Sequence, residues 1–137
     1  MNSVLKDLLM SAVKKYGSAE NICSIDELNK KWERCTAEGS GEIPDASDLR
    51  VRAVIIGLGK IVEEDLEKYT DITTIKVGKG IGVNEALMVT LRKGNTVYYA
   101  ACAHEGFISQ HIAEKAVALV AERIATLPPV SKQSFNS

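Results

Sequence analysis

Residues 85–103 read EALMVTLRKGNTVYYAACA. Two apolar runs rich in strand-forming residues, Glu85 to Arg92 and Thr96 to Ala103, flank Lys93, Gly94 and Asn95. A short break containing Gly and Asn between two such runs is the mark of a β-hairpin. Leu87, Val89 and Leu91 alternate with Met88, Thr90 and Arg92, so the first strand is expected to carry one wetter face. The hairpin makes this a sheet protein, and the other elements are read outward from it.

Upstream, Ile72 to Val77 reads as a further strand, joined to the hairpin by the irregular loop Gly78-Lys79-Gly80-Ile81-Gly82. Val51 to Leu58 contains the β-branched run Ala53-Val54-Ile55-Ile56 and reads as a strand covered on both faces. Ile61 to Tyr69 reads as a helix, with Glu63, Glu64 and Asp65 in its first turn and Lys68 in its last, as the helix dipole favours. The stretch from 59 to 71 is long enough for a right-handed parallel crossover. Residues 38–48, EGSGEIPDASD, gather turn-forming residues and acids and read as a loop.

The flanks are helical. Val4, Leu5, Leu8, Leu9, Ala12, Val13 and Tyr16 recur at three- and four-residue spacing, giving an amphipathic helix over 3–16 that Ser3 can cap and Gly17 can end. Ser24 followed by Glu27 has the capping-box pattern and starts a second helix over 25–36. Ile108, Ile112, Ala116, Leu119, Val120, Ile124 and Leu127 form the stripe of a long helix from Glu105 to Leu127, stopped by Pro128-Pro129. The order α-α-β-α-β-β-β-α implies an α/β or α+β domain: two layers, a sheet of about four strands and a long C-terminal helix. The chain divides into a helical segment at 1–37, a linker at 38–50, a body at 51–127 and a tail at 128–137.

Composition excludes several classes. The 137 residues are one domain's worth; 45% are hydrophobic and 26% charged, with a net charge of -1. This balance does not fit a disordered chain or a basic nucleic-acid binder. No run approaches the roughly 18 apolar residues of a membrane span, so no membrane partner is expected. Lys6, Asp7, Lys14 and Lys15 interrupt any signal-peptide core. Cys23, Cys35 and Cys102 are widely spaced, odd in number and form no CxxC pair, which points to a reducing, cytoplasmic setting.

Three places could hold chemistry. The turn Ile56-Gly57-Leu58-Gly59-Lys60 has Val62 where a dinucleotide fingerprint needs its third glycine, and reads as a tight turn. In the second place, Lys76, Gly78, Lys79, Gly80 and Gly82 set basic side chains among glycines whose N–H groups can cradle an anion, making them candidate ligand-binding residues. In the third, Cys102, His104 and Glu105 sit where the last strand meets the last helix and are the candidate catalytic residues. Cys102 and His104 share one side of the strand. An imidazole ordinarily has a pKa near neutrality, so His104 could shuttle protons, and Glu105 could orient it or act as a base. His111 follows seven residues on. Zinc needs three or four ligands at short spacing, so no metal is expected, and no cofactor is named.

No catalytic motif is complete. The first helix carries more apolar face than a four-stranded sheet needs, so self-association is expected. The reading is a small cytoplasmic interaction or regulatory module acting as a homo-oligomer. The alternative is an enzyme or a protein binding a small anionic ligand, with its site near the Gly78–Gly82 loop and Cys102–Glu105.

Overall fold

A computed structural model describes residues 1–17, 22–64, 72–78, 85–105 and 110–128. The elements are α1 (Ser3–Ala12), α2 (Ile25–Lys30), α3 (Trp32–Cys35), β1 (Thr36–Glu42), α4 (Asp48–Ile56), β2 (Lys60–Glu64), β3 (Ile72–Val77), β4 (Ala86–Lys93), β5 (Thr96–Cys102) and α5 (Ile112–Ala125). The five described strands make one antiparallel sheet in the order β1-β5-β4-β3-β2. The class is α+β, with a C-terminal helix.

The hairpin forms as its residues dictate. Gly94 takes the left-handed φ of 62° that its turn requires, a conformation glycine adopts without steric cost. Thr96 pairs with Lys93, and the ladder runs on to Leu87 opposite Cys102. The expected wet face of β4 is absent: Leu87, Met88, Val89, Thr90 and Leu91 are all buried. Helices cover both sides of this central strand. Ile75, Val77, Met88, Val97, Tyr99 and Ala101 pack with Val51, Val54 and Ile55 of α4 and Ile112, Ala116 and Val120 of α5. On the other face Leu87, Val89, Ala100 and Cys102 pack with Leu5, Leu9 and Ala12 of α1.

Three local readings change. Residues 51–58 are not a strand: 51–56 are most of α4 and 57–58 a turn. The Ser47 hydroxyl accepts from the Arg50 N–H at the helix start. Val51, Val54 and Ile55 then fall on one buried face at helical spacing, and cap and packing override β-branched propensity. Residues 60–64 are not helical but the edge strand β2, antiparallel to β3, so no parallel crossover joins them. A register shift between Ile61 and Glu63 turns Ile61 toward the core and sets Glu63 opposite Thr74. The rest of that expected helix, 65–69, lies outside the described residues.

The third change concerns the expected loop at 38–48, whose first half is β1. Thr36 to Glu42 pair residue by residue with Cys102 back to Thr96. Gly39 is there for space rather than for a turn: a Cβ on it would strike the Tyr99 ring. Pro44 and Asp45 do turn, and Asp48 already starts α4.

The helix ends also shift. Asn2, not Ser3, caps α1, accepting from the Leu5 N–H at 2.7 Å. A π-helical turn, Val13–Gly17, extends the helix to the expected Gly17. The second expected helix breaks at Lys31 into α2 and α3. The last helix begins at Ile112 rather than Glu105, because His111 before it has φ 55°. Arg123 of α5 donates to the Val54 and Ala53 carbonyls at 2.8 and 2.7 Å, closing the C-terminal end of α4.

Leu9 is fully buried against the sheet, whereas Val4 on the same helix is half exposed. Leu9→Ala should therefore lower the unfolding free energy by about 2–5 kcal/mol. Val4→Ala should change it by less than about 0.5 kcal/mol. Urea denaturation of both variants is the check.

Candidate functional site

β5 does not stop where its ladder stops. Beyond Cys102 the chain stays in register with two further segments. The Ala103 N–H donates to the Cys35 carbonyl at 3.0 Å, and the His104 N–H donates to the Ile22 carbonyl at 3.0 Å. These bonds draw the end of α3 and the start of α2 onto the strand end. Cys23, Glu27, Cys35, Cys102 and His104 converge there as a result.

Cys102 is wholly buried. The neighbouring Cys23 thiol and burial hold its pKa well above the ordinary thiol value. Burial, followed by the Glu27 charge, raises Cys35 as well. Both thiols are thus protonated at neutral pH, which works against a thiolate nucleophile at Cys102. The Cys23 Sγ lies 3.6 Å from Glu27 Oε1 and 3.6 Å from the Ser24 carbonyl oxygen.

Glu27 is the joint of the cluster. It stands third in α2, and its backbone N–H donates to the Ser24 hydroxyl at 3.1 Å, as a capping box requires. The reciprocal half of that box would turn its carboxylate back to the Ser24 N–H. Instead Oε1 meets Cys23 and Oε2 meets His104 Nδ1 at 2.5 Å. The His104 side chain is 52% exposed and that of Glu27 17%, so the pair links a dry cluster to water.

Glu105 is separated from this group by strand alternation. It is buried on the opposite side, where its two carboxylate oxygens accept from the Gln110 and Ile112 N–H groups at 2.9 and 2.8 Å. It therefore satisfies free donors at the start of α5. His111 pairs with Glu114 at 3.2 Å, away from His104.

The glycine loop begins at the same end of the sheet. Val77 pairs with Ala86, and the neighbouring Leu87 pairs with Cys102, so the ends of β3 and β5 lie one strand apart. Lys76 pairs with Glu85 at 3.9 Å, and the Glu85 carboxylate lies beside Gly78. Lys79, Gly80 and Gly82 lie outside the described residues. A cleft of about 310 Å³ runs between α1 and β2–β3. Its charges are matched: Lys15 and the Tyr16 hydroxyl both bond Glu63. The Tyr16 bond first, then Lys15, holds that carboxyl below its usual range.

A different surface stands out on α4. Its inner face is apolar, yet Leu49 is 80% exposed and Ile56 57% exposed, with exposed Ala53 between them on the outer side. No described helix is long and apolar enough to cross a membrane, and no described group of His, Cys, Asp and Glu is arranged to hold a metal ion. No known family, curated protein or solved structure matches the chain.

Cys23, Glu27 and Cys35 do not stand out as site residues in the sequence, where Glu27 reads only as part of the Ser24–Glu27 helix start.

Two outcomes follow from this geometry. Iodoacetamide at pH 7 should label Cys35 and Cys102 of the folded protein roughly tenfold or more slowly than after unfolding in urea, as read by peptide mapping. Glu105→Ala takes the acceptor from the buried Ile112 N–H and removes the bond to the part-buried Gln110 N–H, and should cost about 1–3 kcal/mol in thermal or urea unfolding.

Proposed function

We propose that the protein is a small cytoplasmic interaction or regulatory module that works as a homo-oligomer, with the outer side of α4 as its contact. One observation carries this reading: α4 is apolar on both sides, and its outer side is open. Charged Asp48, Arg50 and Arg52 lie between its two apolar sides, and apolar side chains grouped on an open surface mark a contact. The expected surface, α1, is a weaker candidate because Leu5, Leu9 and Ala12 are already buried on the sheet.

The geometry of α4 favours a second copy of this chain as the occupant. Leu49 and Ile56 are two helical turns apart, with the small Ala53 between them. Two such helices crossing antiparallel at Ala53 would set Leu49 of one against Ile56 of the other, a self-complementary contact of the two-fold kind. Charge does not oppose that arrangement: Asp48 at the N-terminal end of α4 is paired with Arg92 at 2.7 Å, and the Arg123 guanidinium at its C-terminal end is held by the Val54 and Ala53 carbonyls. A net charge of -1 raises no barrier to association. The three free cysteines fit a reducing compartment.

Sedimentation velocity across a concentration series tests the reading. Wild-type protein should show a concentration-dependent dimer. Leu49→Asp and Ile56→Asp should each raise its dissociation constant roughly tenfold or more, since each would bury a charge at the centre of the contact. A monomer at every concentration, or variants that dimerise like wild type, would overturn it.

The alternative, an enzyme or small-ligand-binding protein, is favoured by one feature: the thiol, carboxylate and imidazole groups joined at the end of β5.

A further inference from the structure

The two edges of the described sheet are not alike. β2, at one edge, has five residues and a register shift between Ile61 and Glu63. Short length and a bulge keep an edge from pairing with another chain. β1, at the other edge, runs for seven residues and pairs with β5 in unbroken register. It contains no proline and no lysine. Among the described residues, no backbone group pairs with its outer side.

The register shows what that side offers. The Ala103 N–H donates to the Cys35 carbonyl, and the Ile43 N–H to the Asn95 carbonyl. Opposed residues in an antiparallel ladder alternate between bonded and non-bonded pairs. Ala37, Gly39 and Gly41, in step with Cys35 and Ile43, therefore bond to β5. The N–H and C=O groups of Thr36, Glu38, Ser40 and Glu42 point outward, at the spacing an added strand requires.

A cavity of about 330 Å³ adjoins this edge on the α1 face of the sheet. Met1, Leu5 and Tyr98 give it apolar walls, and Glu38 and Ser40 polar ones. A free edge beside a side-chain pocket can take up an extended peptide: main-chain bonds give affinity, and alternate side chains enter the pocket.

Charge selects the occupant. Glu38, Ser40 and Glu42 share the α1 face by strand alternation, and all three are exposed. Glu38 meets the Met1 amino group at 2.9 Å. Glu42 has no ionic partner among the described residues. A second copy of β1 in this place would gather Glu38 and Glu42 of both chains on one face, and like charges across a strand pair are destabilising. A segment with Lys or Arg at alternate positions would bring cations there instead, and could lay an aliphatic stem along Leu5 and Tyr98.

We propose that the free edge of β1 is a docking site for an extended segment of another protein with Lys or Arg at every second position, added antiparallel as a further strand of the sheet. The site is separate from the outer side of α4 and does not depend on self-association there.

The probe is the capped peptide acetyl-Lys-Val-Lys-Val-Lys-Val-Lys-amide, titrated into the isotope-labelled full chain and followed by amide NMR. The largest shifts are expected at Glu38, Ser40 and Glu42, saturating by millimolar peptide. N-methylation of the peptide's lysine amides, which face β1 in this register, should abolish binding. N-methylation of its valine amides, which face away, should not. Glu38→Gln and Glu42→Gln together should weaken binding roughly fivefold, the worth of two exposed ion pairs. Both positions are exposed, and circular dichroism confirms that the double variant is folded. The proposal is overturned by the absence of shifts at β1 with millimolar peptide, or by an unchanged affinity in the double variant. Equal binding of the lysine-methylated peptide, or of a peptide with Glu in place of Lys, would overturn it too. So would slow exchange of the Glu38, Ser40 and Glu42 amides that grows with protein concentration in the absence of peptide, since a second copy would then hold the edge.

Discussion

β5 is hydrogen-bonded along both of its edges, to β1 on one side and β4 on the other, and past its last ladder residue to the carbonyls of Cys35 and Ile22. A buried backbone group without a partner costs as much as a lost hydrogen bond, so a strand this deep must be paired throughout. The rest of the molecule is arranged around that requirement. Tyr99 and Ala101 face the core under α4 and α5, while Ala100 and Cys102 face the core under α1. One strand thereby sets both cores, and its extension decides which side chains meet beyond the sheet.

That dependence explains which parts of the fold are legible in the sequence. The hairpin and β3 are, because their signals are local: a Gly turn, β-branched residues and a period of two. β1 is not. Its glycines resemble loop residues, yet Gly39 makes room for a Tyr99 ring sixty residues away in the chain and Gly41 lies against Ile124. α4 is not legible either, since its β-branched run favours a strand until the Ser47 cap and the packing of Val51, Val54 and Ile55 are known. β2 follows the same pattern: its acids suit a helix start, whereas its pairing with β3 is a non-local fact.

The candidate site divides in the same way. Strand alternation places Cys102 and His104 on one side and Glu105 on the other, and the structure keeps that division. Glu105 turns from a partner of the imidazole into a helix cap, because the free N–H groups of α5 open toward it. The true carboxylate partner, Glu27, comes from seventy-seven residues earlier. Nothing local announces it, since a capping-box Glu looks the same whether or not its side chain completes the box. The glycine loop illustrates a different constraint: the charge beside its first glycine is the Glu85 carboxylate, which sequence spacing alone does not bring there.

Amide hydrogen exchange at residue resolution tests the central role of β5 most directly. The Ala103 and His104 amides lie beyond the ladder, where an ordinary strand end would fray. If the extension holds α2 and α3 to the sheet, both amides exchange as slowly as those of Tyr99 and Ala101, through global unfolding. Exchange of Ala103 and His104 at the rate of an exposed loop would mean that the strand ends at Cys102, and that the cluster of thiols, carboxylate and imidazole is not held together as described.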